Sequence, residues 1–310
     1  MIEAFGLTKV YGDKTAVNDL SFTVRSGMVT GFLGPNGAGK STTMRMIVGL
    51  DRPTDGEVLV NGNRYVDQGA PLAEVGALLD AKASHPGRSA YSHLLALAAS
   101  NGIGKARVSD VLDMVGLSDV AGRRTKGFSL GMSQRLGIAA ALLGDPDVVL
   151  LDEPVNGLDP EGIHWIRGLL RSLAAAGRTV FVSSHLMSEM ELTADRLLIL
   201  GRGRLVADVS MAEMTAAATP VVRVRTPQAD RLAQLLVVAG ADVTAPEPGL
   251  LAVTGSSAAD IGRMAAHQQL VLEELTPVHP SLEEAYLAMT HDHVEYAADS
   301  IGATTGRTAA

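Results

Sequence analysis

The stretch from Val29 to Thr43, VTGFLGPNGAGKSTT, constrains this chain more than any other. An apolar strand ends in a glycine-rich turn, and the turn opens into a helix that begins Lys-Ser-Thr. That order predicts a site for a nucleoside triphosphate, ATP or GTP. Gly34, Gly37 and Gly39 are expected to take positive backbone angles that aim successive N–H groups inward. A helix starting near Lys40 adds the positive end of its dipole. Lys40 is expected to reach the β- and γ-phosphates as a point charge, and the Ser41 hydroxyl to ligate Mg²⁺. Pro35, Asn36, Ala38 and Thr42 complete the nucleotide-binding run. Taken alone, the run also reads as a glycine-rich surface turn.

A second run, VVLLDE from Val148 to Glu153, supplies what a phosphate loop lacks. An apolar strand ending in carboxylates delivers them to the C-terminal edge of a parallel sheet, where the phosphate loop also lies. Asp152 is expected to hold the water shell of Mg²⁺. Glu153 is placed to act as general base on the attacking water, a role worth about 10²–10⁴-fold in rate. The competing reading of Asp-Glu-Pro after a strand is a turn with a helix cap, which the partnership with Lys40 and Ser41 disfavours.

Composition narrows the rest. At 310 residues, with 46% apolar and 19% charged residues, the chain is globular and long enough for one large unit and a smaller one. A formal net charge of −8 and 4% aromatic residues argue against nucleic acid as a partner, which needs clustered cations and stacking platforms. Small basic groups at Arg123, Arg124 and Lys126 and at Arg202 and Arg204 read as solvated loops. The absence of cysteine excludes disulfides, cysteine-ligated zinc and iron–sulfur clusters. No run reaches the roughly 18 apolar residues of a membrane-spanning helix, and MIEAFGLTKVYGDK lacks the apolar core of a signal peptide, so a soluble, unexported chain is expected.

Along the chain, residues 1–30 read as short strands with turns at Gly12-Asp13 and Ser26-Gly27, and GEVLVNGN as another strand and turn. From about residue 85 to 145 the period becomes helical: Tyr91, Leu94, Leu95 and Ala98 share a face, and Gly116 stops the next helix. DVVLLDEP, EGIHWIRGLLRSLAAAG and TVFVSSH then alternate strand, helix and strand, the pattern of a parallel sheet. After Ser210 come a linking helix, then strand PVVRVRT, helix QADRLAQLLVVAG, strand GLLAVTG, helix AADIGRMAAHQQ, strand LVLEELT and a last helix. Ser257 with Asp260 and Ser281 with Glu284 have capping-box spacing. The fold class is thus α/β with an inserted helical subdomain in residues 1–215, a small α+β unit of split βαβ type in 216–293, and a disordered tail in 294–310. His291, Asp292, His293 and Glu295 have some metal-site spacing but read as solvated.

FSLGMSQRLGIAAALL, Phe128 to Leu143, lies just ahead of the Asp-Glu strand and resembles the signature of the ATP-binding cassette (ABC) ATPases. The resemblance runs from about residue 2 to 210 and implies an ATPase core with a mixed sheet. It implies that Ser129 and the Gly131 N–H contact ATP held by a second copy, in a head-to-tail homodimer. Leu130 stands where the family pattern has glycine and Met132 where it has glutamine, a variation similar to the drug-export branch. By the same resemblance Tyr11 stacks on adenine, Asp159 belongs to the NGLD loop at the dimer interface, and His185 contacts the γ-phosphate and orients Glu153. Asp80 stands where the family has a glutamine that touches Mg²⁺, and is a candidate metal ligand. The implied function is an ATP-hydrolysing subunit on the cytoplasmic face of the membrane that powers a separately encoded permease, as in drug and antibiotic exporters of the daunorubicin and bacitracin type. The rival is a soluble ABC ATPase acting on nucleic acid or ribosomes. Such proteins carry two cassettes or a long coiled coil, whereas this chain has one phosphate loop and an acidic charge. A P-loop switch that does not turn over would lack Glu153 or Lys40, and both are present.

Overall fold

The computed structural model describes residues 1–217 and 221–278. β1 (Ile2–Tyr11) and β2 (Lys14–Val24) form an antiparallel hairpin across Gly12-Asp13, both longer than the short strands expected. β3 (Met28–Leu33) runs into the glycine-rich loop and α1 (Lys40–Ile47), and β4 (Asp55–Val60) returns to pair with β1. A single-turn α2 (Pro71–Glu74) and β5 (Val75–Leu78) lead into three helices, α3 (Ala90–Ser100), α4 (Lys105–Met114) and α5 (Leu130–Ala141). Then follow β6 (Val148–Leu151), α6 (Pro160–Ala175), β7 (Thr179–Ser184), α7 (Met187–Glu191), β8 (Arg196–Gly201), β9 (Arg204–Ser210) and α8 (Met211–Ala217).

Two sheets result. One has the order β2-β1-β4; the other has the order β5-β6-β7-β3-β8-β9, parallel except for β9. Period-two alternation divides the larger sheet between two cores. Val29, Leu33, Val149, Leu151, Val180 and Val182 face the helices α3–α6. Phe32, Val148, Leu150, Phe181, Leu198 and Leu200 face α1 and the antiparallel sheet. There Phe22, Phe32 and Phe181 pack with ring centroids 4.9–5.9 Å apart. Burying one such ring contributes about 1.5–3 kcal/mol. α1 is therefore pinned between the sheets through Met44, Met46 and Ile47.

The helical insertion follows its pattern. Leu94 and Ala98 are fully buried, with Tyr91 and Leu95 packed beside them. α4 ends at a left-handed Gly116, whose N–H and that of Leu117 return to Asp113 and Leu112. A side chain at Gly76 would meet the Ala141 carbonyl at 1.8 Å, so α5 lies directly against β5.

The C-terminal elements are β10 (Val221–Arg225), α9 (Ala229–Val238), β11 (Asp242–Glu247), β12 (Leu250–Thr254), α10 (Ala258–His267) and β13 (Glu274–Val278). Their order and the sheet order β11-β12-β10-β13, with every pair antiparallel, make the β-α-β-β-α-β arrangement, over a core of their own. Ser257 caps α10 by accepting the Asp260 N–H. Two differences stand out. The edge strand β11 went unrecognised because its exposed Pro-Glu-Pro end looks like a turn. β13 begins four residues later than expected: Leu270 folds back as the α10 stop, and pairing with β10 starts only at Glu274. The expected last helix, the Ser281/Glu284 box, the His291–Glu295 cluster and the tail lie outside the described residues.

Candidate functional site

The ends of β3, β6 and β7 lie level at one edge of the parallel sheet. Leu33 pairs with Ser184 and Leu151 with Val182, so the glycine-rich loop, Asp152-Glu153 and Ser183–His185 all emerge together. A cleft of about 330 Å³ opens there, lined by Tyr11, Lys14, Ala16, Asn36, Gly37, Gly39, Lys40, Ser41, Thr42 and Glu153. Lys14 and Ala16 carry no chemical signature in the sequence and enter the site only because the β1–β2 hairpin folds over it.

The loop conformation is set by its glycines, though not all in the expected way. Gly37 and Gly39 have φ of 84° and 105°, and a side chain at Gly39 would also strike the Ala16 carbonyl at 2.6 Å. Gly34 is a correction: it is not among the positive-φ residues. Its hydrogen is required because a Cβ would lie 2.7 Å from the Leu200 carbonyl, where β8 passes behind the loop. Ala38 is buried, donating to Pro35 and accepting from Gly203. α1 starts at Lys40 with no acidic residue in its first turn, so its positive end faces the cleft uncompensated.

Lys40 is 6% exposed, and its ammonium donates to the Gly34 carbonyl at 2.7 Å and the Pro35 carbonyl at 3.4 Å. Glu153 Oε1 lies 3.6 Å away. Burial lowers the Lys40 pKa from its ordinary value, while Glu153 and Asp152 push it back up. Glu153 Oε2 contacts His185 Nδ1 at 2.8 Å. The expected trio of Lys40, Glu153 and His185 is thus assembled.

Glu153 stands on an unusual backbone. Its φ is 49°, a left-handed angle that costs a non-glycine residue roughly 1–3 kcal/mol. Two buried side chains hold it there: its N–H donates to Ser183 Oγ at 2.9 Å, and its carbonyl accepts from Gln134 Nε2 at 3.1 Å. Ser183 Oγ in turn donates to Asp152 Oδ1. Neither residue was identified from the sequence. The polar Gln134 on the apolar face of a helix was the one available signal.

The other expected residues lie as follows. Tyr11 is on the rim of the cleft, its hydroxyl donating to Asp51 at 2.8 Å and Lys9 Nζ lying 4.9 Å from its ring centroid. Ser129 and Gly131 do not line this cleft. Ser129 Oγ caps α5 through the Met132 N–H, and Gly131 packs on the 156–159 loop, where a Cβ would stand 2.9 Å from the Gly157 carbonyl. Asp159 caps α6 through the Gly162 N–H at 2.8 Å. Asp80 is also absent from the cleft. It is exposed in the loop after β5, accepts the Lys82 N–H at 2.8 Å, and borders a separate hollow with Leu78, His93 and Leu136.

Fold and cleft together define a P-loop nucleotide-binding protein with a capped signature helix. An ABC transporter family model matches residues 17–156, and a domain of unknown function (DUF8746) matches residues 220–283. The chain is 46% identical over 209 residues to the uncharacterized ABC transporter ATP-binding protein YhcH of Bacillus subtilis, covering 66% of this chain and 68% of that one. It is 41% identical to the bacitracin transport ATP-binding protein BcrA of Enterococcus faecalis, covering 69% and 70%. Among solved structures, the dimeric ATP-binding cassette MJ0796 bound to ADP and Pi aligns with a TM-score of 0.63 and 25% identity over 68% of this chain and 99% of that one. The chain belongs to the ABC transporter family, as an ATP-binding subunit.

Proposed function

We propose that this chain hydrolyses ATP as a head-to-tail homodimer and drives a separately encoded membrane permease, exporting an antibiotic, drug or similar compound. The contact of Glu153 with both Lys40 and His185 carries the hydrolysis reading. Glu153 takes a proton from the attacking water, a contribution of about 10²–10⁴-fold. His185 holds the Glu153 carboxylate in position and faces the γ-phosphate. Lys40 exchanges its loop carbonyls for phosphate oxygens. Loop N–H groups and the first turn of α1 bind the phosphate chain, and the Tyr11 ring packs on adenine.

Ser41 and Asp152 fit Mg²⁺: both offer hard oxygen ligands, and Ser183 engages only one Asp152 oxygen. Two protein oxygens suffice for a cation that keeps several of its waters and takes nucleotide oxygens. When bound, Mg²⁺ neutralises charge on the phosphates.

Ser129 and Gly131 are assigned to the partner copy's nucleotide, consistent with their position outside the cleft of their own chain. The similarity to BcrA supports antibiotic export. The similarity to transport ATP-binding proteins supports a peripheral position on the cytoplasmic side. We divide the chain into residues 1–215, 216–293 and a tail, 294–310.

The test is co-expression with the membrane protein of the neighbouring reading frame, followed by purification and ATPase assay in lipid vesicles with and without peptide antibiotics. Co-purification and antibiotic-stimulated hydrolysis are expected. Hydrolysis that persists with no bound membrane protein would retain the ATPase and reject the transport role.

A further inference from the structure

The aromatic residue on the rim of the nucleotide cleft is tied to the helix that starts at the phosphate loop. Tyr11 ends β1 beside the left-handed Gly12 of the hairpin turn and is 46% exposed, so packing alone does not fix its ring. Its hydroxyl donates to Asp51 Oδ2 at 2.8 Å across 40 residues of chain. Asp51 is in turn held by α1. The Arg45 guanidinium donates to both carboxylate oxygens, at 2.7 and 3.2 Å, and the Arg45 carbonyl accepts the N–H groups of Leu50 and Asp51 at 2.9 and 3.3 Å.

Neighbouring contacts reinforce the link. Lys9 Nζ donates to the Arg52 carbonyl at 2.6 Å while it stands 4.9 Å from the Tyr11 ring centroid. The Val10 N–H donates to Thr54 Oγ1 at 3.0 Å, and the Thr54 N–H to the Thr8 carbonyl at 2.8 Å. The end of β1 is thus joined to residues 51–54 through backbone and side chains alike. With the Lys9 ammonium over one face of the ring, the other face is left for a flat base. Hydrogen bonding from Arg45 lowers the Asp51 pKa, so the acceptor for the Tyr11 hydroxyl is a carboxylate at neutral pH.

α1 begins at Lys40 in the phosphate loop and carries Arg45 in its last turn. A ring that reaches Arg45 through a carboxylate is fixed relative to the phosphate site, whereas a ring on an untied hairpin tip has to be ordered each time a nucleotide binds. Ordering one such side chain weakens binding about three- to tenfold. We propose that Asp51 is a positioning residue for nucleotide binding: through the Tyr11 hydroxyl it holds the ring in place to pack on the base while the phosphate loop holds the phosphates. The inference rests on the packing of Tyr11 on adenine proposed above.

The test is titration of the full chain with Mg-ATP and with Mg-tripolyphosphate, which has the phosphates and no base. Asp51→Ala is expected to weaken ATP about three- to tenfold, to raise KM with kcat little changed, and to leave tripolyphosphate affinity as in the wild type. Tyr11→Phe keeps the ring and removes the hydroxyl, and should match it. Asp51→Asn still offers an oxygen to the hydroxyl and should recover most of the affinity. Tyr11→Phe combined with Asp51→Ala should bind ATP no more weakly than either single variant, since both break the same link. Wild-type ATP affinity in Asp51→Ala or additive losses in the double variant overturns the proposal. An equal loss for tripolyphosphate makes Asp51 a support of α1 alone, and also overturns it. Tyr11→Ala separates the two readings. A large loss of ATP affinity there, with Asp51→Ala and Tyr11→Phe normal, keeps the packing on adenine and rejects the positioning role, whereas unchanged ATP affinity in Tyr11→Ala rejects the packing itself and the proposal with it.

Discussion

Gln134, on the signature helix α5, donates its side-chain amide to the backbone carbonyl of Glu153 at 3.1 Å. The helix whose first turn is assigned to the partner copy's nucleotide is thereby tied to the proposed general base of its own chain. With Ser183 gripping the Glu153 N–H, the left-handed residue is clamped from both sides. Gln134→Leu removes one of two donors to the Glu153 carbonyl, the Asn156 N–H at 3.2 Å remaining, a loss of about 0.5–1.5 kcal/mol. It should lower kcat about tenfold with little change in KM for ATP, because binding groups stay in place while the base is mispositioned. Ser183→Thr should retain activity that Ser183→Ala loses. Steady-state kinetics and thermal melting together decide: a fall in stability with kcat intact would make both residues structural only.

Binding and chemistry should separate cleanly. Lys40→Ala is expected to lose nucleotide binding, and Glu153→Gln to bind ATP, slow hydrolysis by on the order of 10²-fold or more, and accumulate an ATP-bound dimer. Calorimetric titration and single-turnover assays measure the two effects. Equal loss of binding in both variants would refute the division of roles.

Ser129 tests the head-to-tail arrangement. In the Glu153→Gln background, Ser129→Arg should abolish the ATP-dependent dimer on size exclusion while monomer affinity stays within about twofold. Arginine also removes the cap on α5, worth roughly 1 kcal/mol. Ser129→Asp keeps the cap and places a negative charge toward phosphate, so it should block the dimer without loss of stability. Normal dimers in either variant would remove Ser129 from the interface.

Asp80 does not line the nucleotide cleft, and its carboxylate accepts the Lys82 N–H. Mg²⁺ titrations of ATPase activity in Asp80→Asn and Asp80→Gln should therefore superimpose on the wild type. A several-fold rise in the Mg²⁺ needed for half-maximal turnover would restore Asp80 to the metal.

A chain ending after Ala217 should fold and bind Mg-ATP, because β10–β13 with α9 and α10 enclose their own apolar core. A cooperative melt and unchanged ATP affinity would bear out the division at 215/216. An unfolded truncation would mean that the two parts depend on each other.

Much of this protein is legible where the signal is local. The phosphate loop, the VVLLDE strand, the Gly116 stop and the Ser257 cap depend on residues within a few positions of one another, and each lies where its pattern puts it. Resemblance added His185 and its pairing with Glu153, which meet across 32 residues.

The sequence by itself determined which residues carry charge and hydroxyls and which stretches bury an apolar face, since period and turn chemistry are properties of neighbours in the chain. It did not reveal the Gln134 and Ser183 clamp, the entry of Lys14 and Ala16, the steric demand at Gly34, or the tie from Tyr11 to Asp51. Each of these is a contact across about 19 to 166 residues, made only when strands align and helices close on the sheet. The strand ends of β3, β6 and β7 are level because of backbone register, and that register, which no single motif encodes, brings the cation, the carboxylates and the histidine into one site.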